Sequence, residues 1–179
     1  MEDNLVYIDN YGLLGSNFYW QKGIEIGIPK KILAKAGLTD KRVKVHKNII
    51  KPLKKVNEDL RKRGYRLYIT EGYRSKELYE LINKEISKRI GKGNKDRILN
   101  MKDMFHTSGK AVDVALWKDG KKVILHEKKD GINGYFFGFY KNTNNHYHEL
   151  QEMLIGIMQR NGFRLGEKGE YFHFNYDLK

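Results

Sequence analysis

The sequence predicts an α+β fold, a small antiparallel β-sheet flanked by helices. Three observations predict it. Apolar residues recur at helical spacing in three separate stretches, near residues 48–63, 76–90 and 147–160. An Asp119-Gly120 pair sits between two β-rich runs, Ala111–Trp117 and Lys122–Leu125, the signature of a tight hairpin. The chain then closes on Tyr171–Tyr176, where Phe172 and Phe174 alternate with His173 and Asn175. Helices mixed with an antiparallel hairpin in this order suit helices packed on an antiparallel sheet.

Taken in order, residues 5–27 are rich in Tyr, Gly and Asn and read as short strands and loops around LVYI and NFYW. Pro29–Ala36 reads as a short helix. Over 48–63 the stripe is Ile49, Ile50, Leu53, Val56 and Leu60, and Gly64 stops the run. Tyr65–Thr70 alternates and is β-rich, so it predicts a strand. Ser75 is placed to cap a helix over 76–90, with Leu78, Leu81, Ile82, Ile86 and Ile90 on one face and Gly91 at its end. Residues 92–104 are polar and read as a loop. The segment 127–145 reads as an irregular loop carrying a buried aromatic patch at Tyr135–Tyr140. In the third helix Leu150, Met153, Leu154, Ile157 and Met158 point inward, and Phe163–Leu165 follows as a strand.

The whole chain, 1–179, reads as one domain. A length of 179 residues is enough to bury a sizeable core, and the 12% aromatic share excludes a disordered chain. With no cysteine, disulfide scaffolds, thiolate metal sites and thiol nucleophiles are excluded, so any metal must sit on His, Asp or Glu. The N-terminus lacks a secretory signal pattern, and no run of about 18 apolar residues could span a membrane. The expectation is a cytoplasmic protein with no membrane partner; release in the manner of a phage lysin is the other route. The formal charge of +13, from 35 Lys+Arg against 22 Asp+Glu, could suit a polyanion. It is mostly lysine and spread along the chain, and Lys41–Arg66 reads as a solvated helix face. The charge is therefore taken as lysine-rich surface, of a kind that suits an anionic wall polymer, rather than as a nucleic-acid footprint.

Three short segments carry candidate chemistry. In HTSGKAVD, His106 precedes Asp113 by seven positions. A straight strand would separate them by roughly 23 Å, so the Thr107-Ser108-Gly109 segment must bend if both hold one ion, and Gly109 has the freedom to do so. Taken alone, Asp113 in VDVAL reads first as a solvent-face acid. In Glu170-Tyr171-Phe172-His173, a lone His among aromatics reads first as a hydrogen-bonded core histidine. On a regular strand Glu170 and His173 would fall on opposite faces, so a shared site requires Glu170 to lie in the preceding turn. Glu71-Gly72-Tyr73-Arg74-Ser75 follows a strand and precedes a helix, where functional side chains are often displayed. The bland reading of Arg74 is a surface cation, although its charge opposes the helix dipole there. Together these pieces are the parts of a mononuclear zinc hydrolase, with three protein ligands and a fourth position for water.

These motifs resemble those of the zinc D-alanyl-D-alanine peptidases, the family of the vancomycin-resistance D-Ala-D-Ala dipeptidase and related D,D-carboxypeptidases. Some phage L-alanyl-D-glutamate endolysins are similar. The spacing of His106, Gly109, Ala111 and Asp113 matches the first zinc motif, Glu170 and His173 the second, and Tyr73-Arg74-Ser75 the arginine loop, over about 45–176. The resemblance implies the hedgehog/D,D-peptidase fold and one Zn²⁺ per chain on His106, Asp113 and His173. It implies Glu170 as general base and Arg74 as oxyanion stabiliser, acting on a D-amino-acid-containing peptide of peptidoglycan type. Tyr73, Met104 and Ser108, beside the motifs, are the candidates for substrate contact.

Where the family often has serine two residues before the first ligand, this chain has Met104. Where the dipeptidase branch has an acid for the substrate ammonium, the chain reads Ile132–Phe137 without one, and Asp130 is the nearest. A carboxypeptidase or endopeptidase acting on longer peptides therefore stays open beside the dipeptidase. So does a non-catalytic basic module binding cell wall or nucleic acid on the same fold. His46, His126, His146 and His148 match no motif.

Overall fold

A computed structural model of the chain describes residues 4–90 and 104–176, without the side chains of Ile86, Ser87, Arg89 and Ile90. It is a mixed α+β fold. The strands are β1 (Leu5–Tyr7), β2 (Leu14–Gly15), β3 (Lys44–His46), β4 (Arg66–Glu71), β5 (Ala111–Lys118), β6 (Lys121–Lys122), β7 (Phe163–Leu165) and β8 (His173–Tyr176). The helices are α1 (Phe18–Lys22), α2 (Lys30–Lys35), α3 (Ile50–Arg61), α4 (Lys76–Ile90) and α5 (Asn145–Arg160).

The main sheet runs β2-β4-β5-β8-β7, with β6 hairpinned onto the far end of β5, and β1 pairs with β3 apart from it. The pairings in the main sheet are antiparallel except one: Leu14 and Gly15 run parallel to Tyr68 and Ile69. The expected antiparallel sheet thus carries a short parallel edge. Asp119 and Gly120, both at positive φ, form the predicted hairpin turn.

Alternation along β5 divides its side chains. Val112, Val114 and Leu116 are buried in the core, while Asp113 and Ala115 share the other face. Against the core face pack Leu53, Val56 and Leu60 of α3 and Leu154, Ile157 and Met158 of α5, together with Leu67, Ile69 and Phe174. Burying each such side chain contributes about 1.5–3 kcal/mol before entropy is counted. A second, smaller cluster joins Tyr19, Ile28, Leu33, Leu78 and Ile82 under α1, α2 and α4.

Several expectations change. Residues around NFYW form the helix α1 rather than a strand, because the Asn17 side chain accepts from Trp20 N at its start and Tyr19 buries into the second cluster. The closing strand begins at His173, because a turn brings His173 N to the Glu170 carbonyl. The 127–145 segment contains a 3₁₀ stretch, Lys128–Tyr135, and its aromatic patch is only partly buried: Tyr140 is enclosed, while Phe137 and Phe139 are exposed. Ser75 does cap α4, its hydroxyl accepting from Leu78 N. The expected loop over 92–104 lies outside the described residues except at Met104, as does Gly91. Among the described residues no helix is long and apolar enough to cross a membrane.

Candidate metal centre

One row across the sheet sets the site. Glu71 of β4 pairs with Asp113 of β5, and Asp113 pairs with His173 of β8. A register irregularity between Ile69 and Glu71 re-aims the end of β4 beside this row. His106 enters from the 3₁₀ turn Phe105–Ser108. The required bend is made at Gly109, at φ +70°, where a Cβ would stand 2.7 Å from Leu5 Cδ2 and 2.9 Å from His46 N. That close approach lets His46 N donate to the Gly109 carbonyl at 2.8 Å, pinning the turn to β3.

His106 Nε2, Asp113 Oδ1 and His173 Nδ1 converge. His106 Nε2 lies 3.3 Å from His173 Nδ1 and 3.4 Å from Asp113 Oδ1, and His173 Nδ1 lies 2.7 Å from Asp113 Oδ1. Tetrahedral ligand atoms at about 2.0–2.1 Å from a metal stand roughly 3.3–3.4 Å apart. Two of the three separations already match, and the third is a hydrogen bond whose proton a metal would displace. The two nitrogens and one carboxylate oxygen therefore form a group that could hold a metal ion. His106 Nδ1 donates to the Gly72 carbonyl at 2.7 Å, which leaves the Nε2 lone pair facing the group.

The electrostatics follow from burial and neighbours. Burial opposes the charge on Asp113, but His106 and His173 hold its carboxyl well below the usual carboxylate range. Burial likewise works against a charged His173, yet the hydrogen bond and charge of Asp113 raise it. Glu170, buried in the turn before β8 and bridged to Phe136, takes no part in the ligand group. Burial and the nearby Asp113 push its carboxyl up to about 7.

Arg74 is 4% exposed rather than a surface cation. Its Nε donates to Glu71 Oε1 at 3.0 Å and its Nη2 to Glu71 Oε2. Its guanidinium also packs 4.3 Å from the Tyr79 ring centroid and 5.1 Å from that of Tyr19. Burial works against this charge, but Glu71 holds it well above the usual arginine range. Sequence patterns alone assign Glu71 no role. The available signal was an acid three residues before a loop arginine, at a strand end.

These side chains share one cavity of about 510 Å³, with His106, Asp113, His173, Glu170, Arg74 and Glu71 on its wall. Phe18, Ile26, Ile124 and Phe172 supply much of the apolar lining. The three candidates for substrate contact do not line it. Tyr73 is half-buried beside β3, with its N donating to the Lys44 carbonyl. Met104 precedes the His106 turn, and the exposed Ser108 donates to the Phe105 carbonyl. Asp130 is also outside it and accepts from the Tyr140 hydroxyl at 2.6 Å. Among the unassigned histidines, His126 does line the cavity, its Nδ1 2.8 Å from the Tyr171 hydroxyl.

No protein-family model matches the chain, and no curated protein sequence matches it.

Proposed function

We propose that the chain is a zinc metallopeptidase that hydrolyses a peptide bond next to a D-amino acid. It acts as a D-Ala-D-Ala dipeptidase or D,D-carboxypeptidase on peptidoglycan-type peptides, on a fold like that of the D,D-peptidases. The observation that carries the reading is the convergence of His106, Asp113 and His173 with Glu170 on the same cavity wall but outside the ligand group. A site that only stored a metal would have no use for that buried carboxylate. The donor set of two imidazoles and one carboxylate suits zinc with an open fourth position.

Zinc bound there would supply a Lewis acid that polarises the scissile carbonyl and brings the acidity of a bound water to about 7. Glu170 takes a proton from the attacking water and delivers it to the leaving amine, for which a carboxyl near neutrality is well matched. Arg74 directs positive charge toward the oxygen that becomes anionic. Glu71 fixes the guanidinium so that little reorganisation is needed. The apolar wall keeps the site dry and strengthens these interactions.

The test is Glu170→Ala. It should retain about one zinc per chain by metal analysis and lose most turnover, as loss of a general acid–base group costs roughly 10²–10⁴-fold. Undiminished turnover would remove Glu170 from the mechanism.

A further inference from the structure

Beyond the metal group, the cavity wall carries three cations: Arg74, Lys122 and Lys168. Arg74 is engaged by Glu71, and Lys168 acts on Glu170. Lys122 differs from both. It is half-buried on β6, its ammonium lies 5.0 Å from the Tyr68 ring centroid, and among the described residues it makes no ion pair. Burial, and to a lesser degree the charge of Lys22, which is itself ion-paired with Glu25 at 2.7 Å, hold the Lys122 ammonium below the usual lysine range. A half-buried cation on the cavity wall with no ion pair among the described residues offers its charge to an anion in the cavity.

Position along β5 says how far that anion would be from the chemistry. Lys122 pairs with Trp117, four residues from Asp113, and its ammonium reaches over Tyr68, which pairs with Ala115, two residues from Asp113. At about 3.3 Å per residue this is roughly 7–13 Å from the metal group. The terminal carboxylate of a dipeptide lies one residue from the bond that is cut, about 3.5 Å, and cannot reach. A carboxylate two to four residues away can.

We propose that Lys122 pairs with a substrate carboxylate two to four residues from the cut bond, so that the cavity selects an acidic peptide longer than a dipeptide. This rests on the peptidase reading and narrows it. Tyr68, stacked on Trp117 at 4.7 Å between centroids, backs the lysine.

The experiment compares two pentapeptides ending in D-Ala-D-Ala, one with glutamate and one with glutamine at the second position. Both are tested on the wild-type zinc-loaded protein, Lys122→Met and Lys122→Arg. The wild type should prefer the glutamate peptide by about tenfold, the size of one charge-assisted contact, in KM rather than kcat. Lys122→Met should lose the preference and Lys122→Arg should keep most of it. Direct binding to the metal-free protein, followed by tryptophan fluorescence, should give the same order. If D-Ala-D-Ala is cleaved and neither pentapeptide is, the proposal fails and the peptidase reading stands; if none of the three is cleaved, the peptidase reading fails and the binding measurement alone decides the role of Lys122. An equal preference in wild type and Lys122→Met, or no binding of either peptide, overturns the proposal.

Discussion

Asp113 and His173 are directly paired residues of the β5–β8 ladder, and His173 Nδ1 lies 2.7 Å from Asp113 Oδ1. The sheet itself therefore fixes two of the three candidate ligands, and only His106 depends on a turn. Asp113→Asn removes the negative charge while keeping the shape. It should weaken zinc binding by at least the 10–100-fold that even outer partners of a metal site cost, with the fold retained. Competition against a chromogenic chelator measures this, and unchanged affinity would remove Asp113 from the ligand set.

Glu170 predicts a pH dependence with a definite sign. Its folded value of about 7 lies above the ordinary 4.5, so the native state holds a proton that the unfolded state has released between those pH values. The stability it contributes is complete below about pH 4.5 and is lost as pH rises through about 7. In the metal-free protein, Glu170→Gln should therefore gain melting temperature relative to wild type at pH 8 more than at pH 4. Parallel pH profiles for the two proteins would contradict the raised value.

The Glu71–Arg74 pair is buried on both sides, with side-chain exposures of 2% and 4%. Glu71→Ala would leave an unpaired guanidinium in the core, which costs about 3–5 kcal/mol. Replacing both residues by Met should recover much of that stability but not the turnover. Urea titration of the single and double variants separates the two effects, and a double variant no more stable than Glu71→Ala would contradict the desolvation argument.

Much of this arrangement was legible in the sequence, and the limits have physical causes. The α3 and α5 stripes, the Ser75 cap, the Asp119-Gly120 turn and the bend at Gly109 are local features, written in residues close along the chain. The need for Glu170 to sit in a turn followed from the period of two along a strand. The role of Glu71 did not follow, because it depends on the register of β4 against β5, which local patterns leave open. The five-residue α1 was missed because its stability comes from Tyr19 packing against Leu33 and Leu78 rather than from its own sequence. Asp113, His173 and Arg74 each had a bland reading that only their convergence in space removes.

Gly166 tests whether the ligand geometry is tightly built. A Cβ there would stand 2.3 Å from His173 Cδ2, so the imidazole would have to move. Gly166→Ala should weaken zinc binding more than tenfold, in the range of other losses of ligand orientation. Calorimetric zinc titration reads this directly, and wild-type affinity would mean that His173 is free to adjust.

The most direct measurement is hydrolysis of D-Ala-D-Ala and of a pentapeptide ending in it by the zinc-loaded protein, with and without a chelator. We expect D-alanine to be released from the pentapeptide, to stop on chelation and to return with added zinc. Release that is indifferent to the chelator, or no release from either peptide, would contradict a zinc peptidase built on His106, Asp113 and His173.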